Sequence, residues 1–264
     1  MPAPGPLRVV AITGAKGGVG KSVLAANVAL YLASLGRKVV LVDADPDGAA
    51  LHALSGAPSP RATTTFLAET AVPELSLLTT GFDLGDRRAR RVRSGAALKR
   101  TLDELKADFV VVDHGTGTSR VAIDAFLGAA LPVFVTIPEP TALDATWRFI
   151  CRAFLRWLCQ TAPDAAARQA ITKAARELGG APAPPDLWRK LDDDGDPRAD
   201  LVRERMEAFH PPVVLQQTRL RSDLELGEAL RSTCKRRLGI TLEYLGHVEY
   251  DDAVWSSVRH RRLL

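Results

Sequence analysis

One stretch of the 264-residue chain gathers side chains and backbone suited to an anion. Gly14-Ala15-Lys16-Gly17-Gly18-Val19-Gly20-Lys21-Ser22 carries four glycines and two lysines and ends on a hydroxyl. Glycines let the backbone curl until successive N–H groups aim at one centre, which suits phosphate oxygens. The positive end of a following helix adds to that attraction. In such a loop Lys21 reaches the outer phosphates and the Ser22 hydroxyl serves Mg2+. The strict spacing G-x-x-x-x-G-K-[ST] fails by one residue, because Ala15 stands at its first glycine. The dinucleotide pattern G-x-G-x-x-G also fails: counted from Gly18 and Gly20, its last position is Val23.

Two carboxylate sites follow at the ends of apolar runs. Leu41-Val42-Asp43-Ala44-Asp45 closes one and Phe109-Val110-Val111-Val112-Asp113 closes another. Phosphoryl transfer is mainly positioning and charge stabilisation, so acids at these places suit the chemistry. Asp113 ends its run as an acid, and Asp43 has the plain role of a strand-terminal cap. Next to Asp113, His114 is open to two readings, a base or a packing histidine.

The elements that must hold these groups read as strand-then-helix units. Continuous apolar runs at Leu7–Thr13, Lys38–Asp43, Leu75–Thr79, Phe109–Asp113, Leu131–Ile137 and Val213–Gln216 mark buried strands, with a weaker one at Tyr244–Val248. Helical periodicity covers Ser22–Leu35, on Leu24, Val28, Tyr31, Leu32 and Leu35, and then Ser94–Lys106, Val121–Ala130 and Thr141–Gln160. The alternation predicts an α/β fold: a doubly wound, mostly parallel sheet with helices on both faces and ligands beyond the strand carboxyl ends. Residues 161–212 break the rhythm with seven prolines and Gly179-Gly180, and predict two or three short helices inserted into one domain spanning 1–264. Asp192-Asp193-Asp194-Gly195-Asp196 misses the calcium-loop spacing: with Gly195 as the sixth residue, Lys190 and Leu201 fall on ligand positions. It reads as a solvated acidic turn.

Lys-Gly-Gly-Val-Gly-Lys-Ser, with Lys16 ahead of the glycines, resembles the deviant Walker A loop of the MinD/ParA family of P-loop ATPases, in which the residue at Ala15 varies. The resemblance implies binding of ATP and Mg2+ by Ala15, Lys16, Gly17, Gly18, Val19, Gly20, Lys21, Ser22 and Val23. It implies an ATP-sandwich homodimer in which Lys16 reaches the partner's phosphates. It also implies slow hydrolysis, with Lys16 and Asp45 as catalytic residues, Asp45 positioning the attacking water. Ser22, Asp45 and Asp113 are then metal residues, Asp113 closing a Walker B-like strand and acting through water. Asp113-His114-Gly115-Thr116-Gly117-Thr118-Ser119, Pro138-Glu139-Pro140-Thr141, Trp147-Arg148-Phe149 and Leu51-His52 resemble the FlhG/FleN-like branch. Pro46 and Asp47 lean towards ParA instead. Gln216 stands where the family's strand ends in an adenine-recognising Asn, and Glu249 replaces a usual proline.

Such a switch would position or count a structure such as flagella or a division site, with a stimulating or cargo protein as partner. The rival reading is a metabolic ligase or kinase on the same fold. A cluster-bridging reductase does not fit, because Cys151 and Cys159 share a helix. An iron–sulfur carrier of the Mrp type would want a C-terminal Cys-x-x-Cys, and Cys234 has no such companion. Three scattered cysteines also argue against a disulfide framework and for a cytoplasmic setting. Thirty-five cations against 31 anions leave a charge of only +4. Seven of those cations fall between Asp86 and Asp103, at Arg87–Arg93 and Lys99-Arg100. A stripe Arg87–Arg100 could grip DNA phosphates non-specifically, or be a solvated arginine-rich helix. The stretch Arg259–Leu264 is too short for an amphipathic membrane helix, so membrane contact by that route is not expected.

Overall fold

The computed structural model describes residues 8–45, 51–57, 66–79, 105–116 and 119–260. They form two compact units, one holding residues up to 135 together with 249–264, the other 136–248.

In the first unit the order along the chain is β1 (Arg8–Gly14), α1 (Lys21–Ser34), β2 (Val39–Ala44), α2 (Leu51–Ser55), β3 (Phe66–Glu69), β4 (Leu75–Thr79), β5 (Phe109–Thr116), α3 (Arg120–Gly128) and β6 (Leu131–Thr136), with α9 (Asp252–Arg259) near the chain's end. Its strands lie side by side as β3-β4-β2-β5-β1-β6. Pairing is parallel from β4 through β6, and β3 runs antiparallel to β4 at the edge. Val40, Val42, Leu78, Val110 and Val112 fill one core layer, which is why these strands read as unbroken apolar runs. The register sets Asp43 level with Asp113, and Ile12 level with Asp113 on its other side. A break in pairing between Ile12 and Gly14 then releases β1 into the glycine loop.

Helix α1 differs from its predicted face. Tyr31 is 65% and Leu35 58% exposed, whereas Ala25, Ala26, Ala29 and Ala33 are buried. Methyl side chains let the helix lie close on the sheet, so small residues and not the large apolar ones make the contact. Strand β5 runs three residues past its predicted end at Asp113, and β3 and α8 (Arg221–Leu238) had no signal in the periodicity. Of the predicted helix 94–106, residues 94–104 lie outside the described ones, and Leu105 and Lys106 are not helical. The arginine stripe also lies outside the described residues.

The second unit holds α4 (Pro140–Gln160), α5 (Ala165–Glu177), α6 (Pro184–Asp193), α7 (Arg198–Ala208), β7 (Pro212–Thr218), α8 and β8 (Glu243–Glu249). The proline-rich stretch thus becomes three helices, with Pro184 in the first turn of α6 and Pro197 at the N-cap of α7, where a missing N–H does no harm. Asp164 caps α5 by accepting from the Ala167 N–H at 2.7 Å. Phe154 meets Phe209 edge-on at 5.8 Å, Trp157 stacks on Phe209 at 5.2 Å, and the Arg205 guanidinium lies 5.6 Å over Trp157. The acidic turn pairs with its own neighbours, Asp194 with Lys190 and Asp196 with Arg198 at 3.0 Å.

Candidate functional site

The loop after β1 is shaped by glycine in two ways. Gly18 and Gly20 adopt left-handed backbone (φ 76° and 86°), and Gly20 starts α1 by accepting from the Leu24 N–H at 2.9 Å. Gly14 answers a steric demand instead. A Cβ there would stand 2.7 Å from the Val135 carbonyl oxygen and 3.2 Å from both Lys21 Cδ and Val19 Cγ2. Val19 is tucked under the loop at 1% exposure, Ala15 and Lys16 are half-buried, and Gly17 and Gly18 face outwards. A Cβ on Gly17 would meet the Thr116 methyl at 3.7 Å, so the end of β5 runs along the loop.

Lys21 is buried as the first residue of α1, and its ammonium donates to the Lys16 carbonyl at 3.2 Å. Burial pulls its pKa down, against the opposing pull of the Asp113 and Asp45 charges. Asp113 is buried and accepts a hydrogen bond from the Ser22 hydroxyl. Burial pushes its carboxyl up to about 7; the Asp43 and Asp45 charges push the same way, while Ser22 and Lys21 oppose them. Lys21, Ser22, Asp45 and Asp113 are therefore brought together at the carboxyl ends of the strands. Val23 follows Ser22 on α1, half-buried. Gln216 is buried in β7 of the second unit, next to Gln217 in left-handed backbone at φ 58°.

His114 is enclosed at 2% exposure, and burial drives its pKa down to about 4, a weak base, which favours the packing reading. Asp43 proves more than a cap. It accepts from the Leu51 N–H at 3.0 Å and the Asp45 N–H at 3.3 Å, and burial raises its pKa. The spacing Asp-x-Asp was its available signal.

A magnesium ion suits this donor set. Asp113 Oδ1 is buried without a hydrogen-bond partner beside the Ser22 hydroxyl, an unfilled oxygen acceptor of the hard type Mg2+ prefers. Among the described residues no three His, Cys, Asp or Glu side chains cluster as a metal cage. An ion completed by water and phosphate oxygens needs none.

The family model described as the CobQ/CobB/MinD/ParA nucleotide binding domain, CbiA, matches residues 10–264. The chain belongs to this family. Across that family match the glycine loop opens the domain and β8 and α9 lie near its end. Among curated relatives, the iron–sulfur cluster carrier protein of Aquifex aeolicus is 35% identical over 152 residues, 53% of this chain and 42% of the relative. The antiactivator FleN of Pseudomonas aeruginosa is 60% identical over 40 residues, 15% of this chain and 14% of the relative. The chain thus spans less than half the length of these two relatives. Among solved structures, the septum site-determining protein MinD of Pyrococcus horikoshii, complexed with Mg-ADP, superposes with a TM-score of 0.57 at 18% identity, covering 97% of this chain and 87% of that one. That likeness bears out the predicted fold. No helix among the described residues is long and apolar enough to cross a membrane.

Proposed function

We propose that the chain is a Mg·ATP-dependent ATPase switch that dimerises around nucleotide and serves to position or count a cellular structure. The observation that carries this reading is the convergence of Lys21, Ser22, Asp45 and Asp113 around a glycine loop preceded by Lys16. In this reading the loop amides from Ala15 to Ser22 bind phosphate oxygens, and Lys21 leaves the Lys16 carbonyl for the outer phosphates. Ser22 and Asp113 hold Mg2+, which when bound neutralises charge on the phosphates. Asp45 orients the attacking water. Lys16 serves the partner copy's phosphates, and Gln216 offers amide donor and acceptor groups to adenine. The short FleN match supports a place near that branch. A protein that stimulates turnover is the expected partner in a cytoplasmic setting, and the Arg87–Arg100 stripe offers cations that DNA phosphates could use non-specifically.

The test pairs two variants with size-exclusion chromatography in Mg·ATP. Lys16→Ala should lose hydrolysis at least a hundredfold, and Asp45→Ala should accumulate an ATP-bound dimer. Monomeric Asp45→Ala protein, or turnover that demands a small acceptor molecule, overturns the reading in favour of a ligase or kinase.

A further inference from the structure

At the end of β2, Asp43 is 1% exposed, and both its carboxylate oxygens accept backbone amides. Oδ1 takes the Asp45 N–H at 3.3 Å and Oδ2 the Leu51 N–H at 3.0 Å. The donors are the two ends of the segment 45–51, so one side chain fastens its beginning and its end. The far end is anchored as well, because Leu51 opens α2 with its own side chain at 0% exposure.

We propose that Asp43 is a positioning residue for hydrolysis, a clip that fixes where Asp45 stands relative to the Ser22–Asp113 pair. The inference rests on the ATPase reading above. Its geometry is direct: Asp43 stands level with Asp113 on the adjacent strand, so Asp45 is referenced to the metal residue across a single strand spacing. Chemistry separates a clip from an ordinary cap. A buried acid beside Asp113 adds like-charge repulsion, which a Ser, Thr or Asn cap avoids. Only a carboxylate presents two acceptor oxygens with no competing donor, and both are used here.

The experiment reads the clip and its catalytic consequence separately. Asp43→Asn preserves shape and keeps one acceptor. Asp43→Val, a strand-forming residue with no side-chain acceptor for either amide, stands in should the first variant not fold. Hydrogen exchange in nucleotide-free protein should quicken about tenfold or more at Asp45, Leu51 or both. In steady-state assays kcat should fall by about tenfold or more, with KM for Mg·ATP held within about threefold. Unchanged exchange at both amides overturns the clip. Faster exchange with unchanged kcat, or a loss carried wholly by KM, overturns its positioning role. A wild-type chain with no Mg·ATP turnover defeats the ATPase reading, while the exchange measurement still decides the clip.

Discussion

The two compact units treat buried polar groups in opposite ways. In the first, Thr13 Oγ1, His52 Nδ1, Ser55 Oγ, Thr79 Oγ1, Asp113 Oδ1 and His114 Nε2 are all buried without a hydrogen-bond partner. Four of the six stand in the C-terminal halves of β1, β4 and β5, and His52 and Ser55 lie in α2. In the second, the corresponding atoms among the described residues are Arg205 Nε and Tyr244 Oη. There the charges pair at the surface, as in Lys190 with Glu177 and Asp194, and helices are capped or stacked on aromatic rings. An unpaired buried polar atom costs about 1–3 kcal/mol, so among the described residues the first unit, with six, holds its site against its own stability more than the second, with two. Function and stability should therefore come apart by unit.

The sharpest way to break that contrast is a pair of truncations. Lys21→Ala should weaken ATP binding at least about a hundredfold in a fluorescent-nucleotide titration. Its melting temperature should hold or rise, since a desolvated ammonium is removed. Phe154→Ala, in the second unit, should lose about 3–5 kcal/mol in urea unfolding, with nucleotide affinity unchanged below the transition. The reverse pattern would end the comparison.

A smaller effect comes from Asp113, whose carboxyl is held up to about 7 by burial. Its folded pKa lies above the unfolded value of 3.8. Between those values the folded chain binds the extra proton, so stability from this group falls as pH rises and flattens above about 7. Asp113→Asn should therefore stabilise the nucleotide-free protein at pH 8 more than at pH 5, by at most a few kcal/mol. It should also abolish magnesium-dependent nucleotide binding. Equal melting shifts at both pH values would show that the carboxyl is not desolvated. The smallest effect belongs to the second unit: Asp164→Ala should cost about 1 kcal/mol by removing the α5 cap, with ATP binding untouched.

Much of the first unit was legible because a parallel strand buried on both faces has to be apolar throughout. Val39–Val42 and Phe109–Val112 announce themselves, and the charged residues that end such runs stand out. The loop was legible because the Lys21-Ser22 pair follows a strand and opens a helix. What escaped the sequence has physical reasons. The contact face of α1 is alanine, which periodicity ranks below Tyr31 and Leu35. Strand β3 is a four-residue antiparallel edge, too short to show a period. The double acceptance by Asp43 depends on Leu51, eight residues away, which no local pattern records. Helix α8 has polar residues on most of its surface and buries Gly227, Leu230, Cys234 and Leu238, a stripe thinned by its glycine.

Gly14 carries a consequence for recognising chains of this kind by pattern. The backbone position that admits no side chain is the last residue of β1, pressed against the Val135 carbonyl, whereas Ala15 keeps its methyl group in place. A search template anchored on position 15 asks for glycine one residue too late and discards this chain. Moved back to the strand's final residue, with the helix-opening Lys-Ser kept fixed, the template would retrieve it. The information in the motif thus lies where a neighbouring strand leaves no room and where left-handed backbone asks for glycine at 18 and 20, while position 15 is free to drift.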